Sequence, residues 1–166
     1  MNGMINALMR AVESRDPYTA GHLKDVAELA TAIALEMGYS DNVVEGIFMA
    51  ASIHDIGSLS VPAEILCKPS KLTDIEYNIV KTHTPQVGYE ILKEISFPWP
   101  IADIIQQHHE RLDGSGYPCG LCGDEIMLEA RILAVADVIE AMCSYRGLIE
   151  RLLVLTRLFK KERFQF

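Results

Sequence analysis

Apolar residues recur three and four positions apart along nearly the whole chain, and no segment alternates convincingly with a period of two. That pattern predicts an all-α fold and leaves nothing from which to build a sheet. Val26, Leu29, Ala30, Ile33, Ala34 and Met37 form one such stripe, which Gly38 ends as a C-terminal breaker. An earlier helix carries Ile5, Leu8, Met9 and Val12 and stops at Asp16 and Pro17. A third, capped by Ser40 or Asp41, runs through Val44, Ile47 and Ala51 toward His54. Thr73, followed by Glu76, has the form of a capping box and opens a short helix up to His83, after which Pro85 is expected to start a separate turn. Pro98 and Pro100 bracket Trp99 ahead of a helix from Ile101 to His108, and the apolar run Leu128 to Cys143 predicts the last long one. Between these two, the glycines and proline of DGSGYPCGLCGD, Asp113 to Asp124, mark an ordered loop.

The length of 166 residues suits one domain with a sizeable core. The longest apolar stretches, such as IFMAASI from Ile47, fall well short of a membrane span. Cys67, Cys119, Cys122 and Cys143 are too few and too unevenly spaced for a disulfide scaffold, so a reducing cytoplasm is the expected setting. A net charge of -8 argues against holding a nucleic acid polymer along its backbone. An anionic substrate would need a local source of positive charge.

The histidines supply a route to that charge. In HDIGS, His54 and Asp55 are adjacent, so near a helix end they can diverge, and a carboxylate can bridge two ions while each imidazole binds one. His108 and His109 are adjacent too, which suits ligands sent to different metals. Asp137 is an ionisable residue on an otherwise apolar helix and needs a partner if buried. Any one helical histidine is more often a core or surface residue than a ligand. An HD pair, a later His, an HH pair and a later Asp together favour a metal site, and mixed imidazole and carboxylate ligation leaves Mn, Fe and Zn open.

HDIGS, KTHTPQVGYEIL, HHERLDGSGYP and EARILAVADVIEAM, in that order, resemble the HD-GYP domain, a bacterial branch of the HD phosphohydrolases, over Met1 to about Arg146. The resemblance implies an all-helical HD bundle that hydrolyses the second messenger cyclic di-GMP to pGpG or GMP. It implies two divalent transition-metal ions, Fe or Mn ahead of Zn, held by His54, Asp55, His83, His108, His109 and Asp137, with Asp55 bridging. His22 matches a ligand for a third metal in some members, whose glutamate four residues earlier is Tyr18 here, so two metals are expected and His22 is placed at the pocket's edge. Gly116, Tyr117 and Pro118 are the signature loop, flanked by Arg111 and Asp113. In the family this loop lies near the substrate and has been linked to diguanylate cyclase domains.

Several positions depart from the family. Ser58 stands where the family's catalytic segment HDxGK has lysine, removing a point charge from the phosphate. Asp25 replaces a usual arginine, a change either at the pocket or merely on the surface. Of the substrate-holding RPYR, only Arg146 matches. Residues 1 to 145 carry 9 Lys and Arg against 21 Asp and Glu, whereas 146 to 166 carry 6 against 2. Codons for the tail can be chosen whose alternate frame resembles the missing continuation. A domain over residues 1–146, incomplete at its C-terminal end, followed by a basic frameshift product over 147–166, is therefore expected. The alternative is a native amphipathic helix bearing Leu148, Leu152, Leu155 and Phe159.

The leading functional expectation is thus a cyclic di-GMP phosphodiesterase slowed by Ser58 and the altered tail. One alternative is a silent module that binds cyclic di-GMP or a protein partner, and another is a phosphohydrolase for a different nucleotide. Cys119 and Cys122, as CGLC, offer a weaker redox or zinc reading, and Tyr117 and Trp99 are candidates either for stacking on guanine or for packing.

Overall fold

The computed structural model describes residues 2–14, 21–68 and 70–144. Arg146, Tyr18 and the segment 147–166 lie outside the described residues, and so do the expectations placed on them. Among the described residues seven α-helices follow in order: α1 (Asn2–Glu13), α2 (His22–Glu36), α3 (Asp41–Ser52), α4 (Ala63–Leu66), α5 (Asp74–Leu92), α6 (Ile101–Gln107) and α7 (Leu128–Ser144). Two 3₁₀ turns, Ile56–Ser60 and Gly123–Glu125, complete the order, and no strand occurs among the described residues.

Local chemistry sets most boundaries. Gly38, at φ 78°, closes α2. Its N–H donates to the Leu35 carbonyl and that of Tyr39 to the Ala34 carbonyl, the paired bonds of a Schellman ending. The Thr73 hydroxyl accepts from the Glu76 N–H at 3.3 Å, and the Glu76 carboxylate accepts from the Thr73 N–H at 2.7 Å, so the capping box forms. Ser40 occupies the cap of α3 without a side-chain bond; its carbonyl takes the Val43 and Val44 N–H groups instead.

The expected break at Pro85 does not occur. Helix α5 runs unbroken through this buried proline. Proline deprives the preceding turn of one donor, but the helix is clamped there from outside. A Cβ on Gly57 would fall 1.8 Å from the Thr84 carbonyl oxygen and 2.8 Å from the Gly88 nitrogen, so the first 3₁₀ turn lies directly on the α5 backbone. Tertiary packing overrides the local signal.

The core is built on α2, whose Leu23, Val26, Ala27, Ala30 and Ala34 are buried. The small side chains of Ala27, Ala30 and Ala34 allow α3 and α7 to pack closely on it. Ile47, Ala50, Ala51, Ile104, Ile105, Leu133 and Ala136 close the same cluster. Trp99 covers Gly46, whose added Cβ would meet the indole at 2.7 Å, so its role in this fold is packing. Asp25 is exposed in the first turn of α2, a surface position where a carboxylate complements the helix dipole.

Candidate metal centre and substrate cavity

Helix α3 stops at Ser52, short of the histidine, and Ile53 caps it. His54 and Asp55 therefore lie in the bend before the 3₁₀ turn, where consecutive side chains can diverge. His54 is buried at 1% exposure, whereas Asp55 reaches a cavity wall. His108 likewise caps α6 and is fully buried.

Both rings are held the same way. The Nδ1 of His54 donates to the Ala51 carbonyl at 2.8 Å and that of His108 to the Ile105 carbonyl at 2.5 Å. A carbonyl accepts only, so Nδ1 carries a proton in both rings and Nε2 is the nitrogen turned toward the centre. Both Nε2 atoms are buried without a hydrogen-bond partner. An orphaned imidazole nitrogen is costly in a core, and two of them beside carboxylates fit a cation.

The surrounding ligands agree. One ligand atom each from His54, His108 and Asp137 fall within 4.8 Å of one another, and so do those of His22, His54 and Asp55. An Asp137 oxygen lies 3.7 Å from His54 Nε2 and 3.3 Å from His22 Nε2. An Asp55 oxygen lies 3.6 Å from His54 Nε2. Of the expected ligands, His54, Asp55, His108 and Asp137 are thus brought together. His22 stands within the cluster, its ring centroid 5.5 Å from that of His54. His109 packs on His108 at 3.8 Å between centroids and faces the cavity. His83 sits on α5, and its side chain lies outside the described ones.

Two glutamates escaped the sequence reading. Glu140, one turn after Asp137, is buried and contacts His22 Nδ1, leaving His22 Nε2 facing Asp137. A carboxylate behind a histidine commonly fixes the ring of a metal ligand. Glu110, immediately after the histidine pair, is 3% exposed and accepts three backbone N–H groups of the signature loop: Cys119 at 2.6 Å, Gly120 at 3.1 Å and Leu121 at 3.1 Å. Both signals were available, since Glu140 shares the Asp137 face at i+3 and Glu110 extends HH to HHE.

Glu110 explains the loop. Gly116 crosses so close that a Cβ would meet the Arg111 nitrogen and the Glu110 Cα at 2.3 Å. The Tyr117 N–H donates to the His109 carbonyl at 3.3 Å, and its ring lies 4.8 Å from the His109 ring. Arg111 donates to the Glu110 carbonyl at 3.0 Å, while Asp113, at the loop's start, accepts from Ser115. The Tyr117–Pro118 peptide is cis. The loop thereby delivers Tyr117 to a cavity of about 230 Å³ beside the histidines, lined also by Asp55, Ser58, Thr84 and His109. Cys119 and Cys122 are exposed free thiols outside the ligand groups found among the described residues, so neither the redox nor the zinc reading gains support.

Electrostatics divide the histidines. Burial opposes protonation of His54, but the Asp55 and Asp137 charges outweigh it and lift its pKa to about 9. Burial opposes protonation of His22 as well, and Asp137 with Glu140 raises it nonetheless. Burial, reinforced by the charges of His109 and His54, holds His108 at about 3, and burial holds His109 at about 4. Burial works against the Asp137 carboxylate too, yet His22 and His54 keep its pKa well below the usual range. The centre thus combines neutral imidazoles, ready as donors, with proton-holding ones that a metal would displace.

An all-helical bundle with histidines and aspartates gathered at the helix ends is the architecture of HD domains, and the HD domain family model matches residues 6–153. The chain belongs to the HD domain family. Within it, HDIGS and the GYP loop mark the HD-GYP domain. The chain is 46% identical over 144 residues to the cyclic di-GMP phosphodiesterase response regulator RpfG of Xanthomonas campestris, covering 86% of this chain and 38% of that protein. It is 46% identical over 136 residues to a cyclic di-GMP phosphodiesterase of Thermotoga maritima, covering 81% and 37%. A 3'3'-cGAMP-specific phosphodiesterase 1 of Vibrio cholerae matches at 38% over 143 residues, covering 84% and 33%. The solved structure of Bd1817, an HDG"Y"P protein from Bdellovibrio bacteriovorus, shares the fold with a TM-score of 0.68 at 19% identity, covering 96% of this chain and 57% of that one. The chain spans about a third of the length of the curated relatives it matches.

Proposed function

We propose that this chain is a metal-dependent phosphodiesterase domain that opens the phosphodiester ring of cyclic di-GMP, giving pGpG or GMP. The observation that carries this reading is the pair of orphaned, buried Nε2 atoms of His54 and His108 beside Asp137, next to a cavity bordered by Asp55 and His109. Asp55, Asp137 and Glu140 surround the centre with negative charge, so a phosphodiester anion approaches only if cations reverse its sign.

The residues that would hold such ions are His54, Asp55, His108 and Asp137, with His83 and His109 completing two sites, and Fe or Mn preferred over Zn. When bound, divalent ions lower the pKa of water and neutralise charge on the phosphate. Each hydrolysis forms one bond from a water oxygen to phosphorus and breaks one P–O bond to ribose, whose oxygen leaves with a proton; one such event gives pGpG and a second gives GMP. Asp55 holds position at the cavity wall, Tyr117 offers a ring face to a base, and the Glu110-anchored loop keeps that ring in place. Ser58 lines the same cavity but contributes no charge, and loss of one such donor costs roughly a hundredfold in rate.

The relatives' names favour cyclic dinucleotides as the substrate class, and 3'3'-cGAMP is the second candidate because one similar phosphodiesterase is specific for it. A cytoplasmic setting and docking of diguanylate cyclase domains on the GYP loop belong to the same proposal. No helix among the described residues is long and apolar enough to cross a membrane.

Metal analysis of the purified chain, with turnover of cyclic di-GMP and 3'3'-cGAMP in Mn and in Fe, tests the reading. Bound metal with slow turnover supports it. Bound metal with binding alone favours the silent module, and a chain that takes up no metal overturns both.

A further inference from the structure

With serine at position 58, the wall of the cavity beside Asp55 offers a phosphate no ammonium, and the structure places one nearby. Val80 and Thr84, one helical turn apart on α5, both line the cavity, and Lys81 follows Val80 at the rim of that face. Its Nζ stands 4.9 Å from the centroid of the Tyr117 ring, itself a wall of that cavity.

Several other cations among the described residues are already engaged. Lys68 is held by Glu76, Lys93 by Glu90, Lys24 by Glu28 at 3.5 Å and Arg131 by Asp124 at 3.2 Å. Arg111 donates to the Glu110 carbonyl. Lys81 has no carboxylate within 4.0 Å among the described residues, although the protein is strongly acidic. A half-buried ammonium whose contact is an aromatic face is weakly held, and its flexible stem lets it trade that face for a stronger anion. The ring also ties the two functions together, since Tyr117 can receive a base while Lys81 takes the phosphate.

We propose that Lys81 is a substrate-binding residue that supplies the phosphate contact Ser58 cannot make. The inference deepens the phosphodiesterase reading and rests on it for the identity of the substrate, but the phosphate contact can be tested apart from it.

The test uses the Mn-loaded full chain, with equilibrium dialysis of cyclic di-GMP and, separately, of inorganic phosphate. Lys81→Gln is expected to weaken both by about tenfold or more, the worth of a charged hydrogen bond, with metal content and melting temperature unchanged. Lys81→Arg should recover most of the affinity. Ser58→Lys placed in the Lys81→Gln background should restore it by returning the charge from the other wall.

Equal affinity of the parent chain and Lys81→Gln for both probes overturns the assignment. Failure of Ser58→Lys to restore binding counts against the compensation. If phosphate binds through Lys81 while cyclic di-GMP does not bind the parent chain, the cation assignment stands and the substrate reading falls. Absence of binding by either probe overturns both.

Discussion

Gly57→Ala is the substitution on which the assembled site most directly depends. The added methyl would lie 1.8 Å from the Thr84 carbonyl oxygen, 2.7 Å from its carbon and 2.8 Å from the Gly88 nitrogen. Carbon atoms rarely come within 3.0 Å of such neighbours, so the 3₁₀ turn and α5 must separate by about 1.2 Å. The obstruction is backbone on both sides, and no rotamer relieves it. Overpacking of this kind costs about 3 kcal/mol, the upper part of the usual range, which lowers the melting temperature by roughly 6–12 °C for a domain of this size. The same movement carries Asp55 and Ser58 away from Val80 and Thr84 across the cavity. A displacement of about 1 Å at a reacting centre costs on the order of a hundredfold in rate. Thermal melts followed by circular dichroism, metal content and cyclic dinucleotide turnover read the three effects. Gly88→Ala is the control, because its methyl meets side-chain carbons of Ile105 and Ile56 at 3.3 and 3.5 Å and the Gly57 nitrogen at an ordinary 3.6 Å, and alanine gains roughly 1 kcal/mol of helix propensity. It should stay near the parent in all three. A Gly57→Ala chain that melts within about 2 °C of the parent and binds metal equally would refute the claim that this contact holds the site together.

Glu110→Gln replaces a carboxylate facing three N–H donors with a group that accepts on one side only, so one donor meets an amide NH₂. A loss of about 1–3 kcal/mol in stability is expected, with a larger rise in KM than fall in kcat as Tyr117 loses its fixed position. Glu140→Gln should lower metal affinity by about tenfold or more by freeing the His22 ring that positions the ligand Asp137, and an unchanged metal titration would deny it that role. In the metal-free chain, stability should peak near pH 6.5. His54, with a folded pKa of about 9, contributes fully below its unfolded value of 6.5 and loses that contribution as pH rises through 9. His109 and His108, held at about 4 and about 3, destabilise the fold as pH falls below 6.5, because only the unfolded chain then takes up their protons. Melting temperatures that climb or fall steadily between pH 4 and about 9 would contradict this balance.

Several features of this protein were determined by its sequence alone, since they depend on neighbours within one turn. The stripe from Val26 to Met37 could bury itself only as a helix, Gly38 alone supplies the positive φ that ends it, and Thr73 with Glu76 satisfies the exposed donors of α5. The order of HDIGS, HH, the GYP loop and Asp137 likewise marks the HD-GYP family. What tertiary structure decided were relations between distant residues. Pro85 reads locally as a helix start, and only the close approach of Gly57 to the Thr84 carbonyl carries α5 through it. His22 and Glu140 are 118 positions apart, and no periodicity announces that they meet. Glu110 extends the histidine pair in sequence, but only its burial shows that it takes three backbone donors of the loop. Lys81 belongs, by spacing alone, to an exposed helix, and it becomes a candidate for phosphate only because the loop folds Tyr117 beneath it. The division follows from range: hydrogen bonds within a turn are encoded in adjacent letters, whereas a pocket exists only where separate helices have excluded water together.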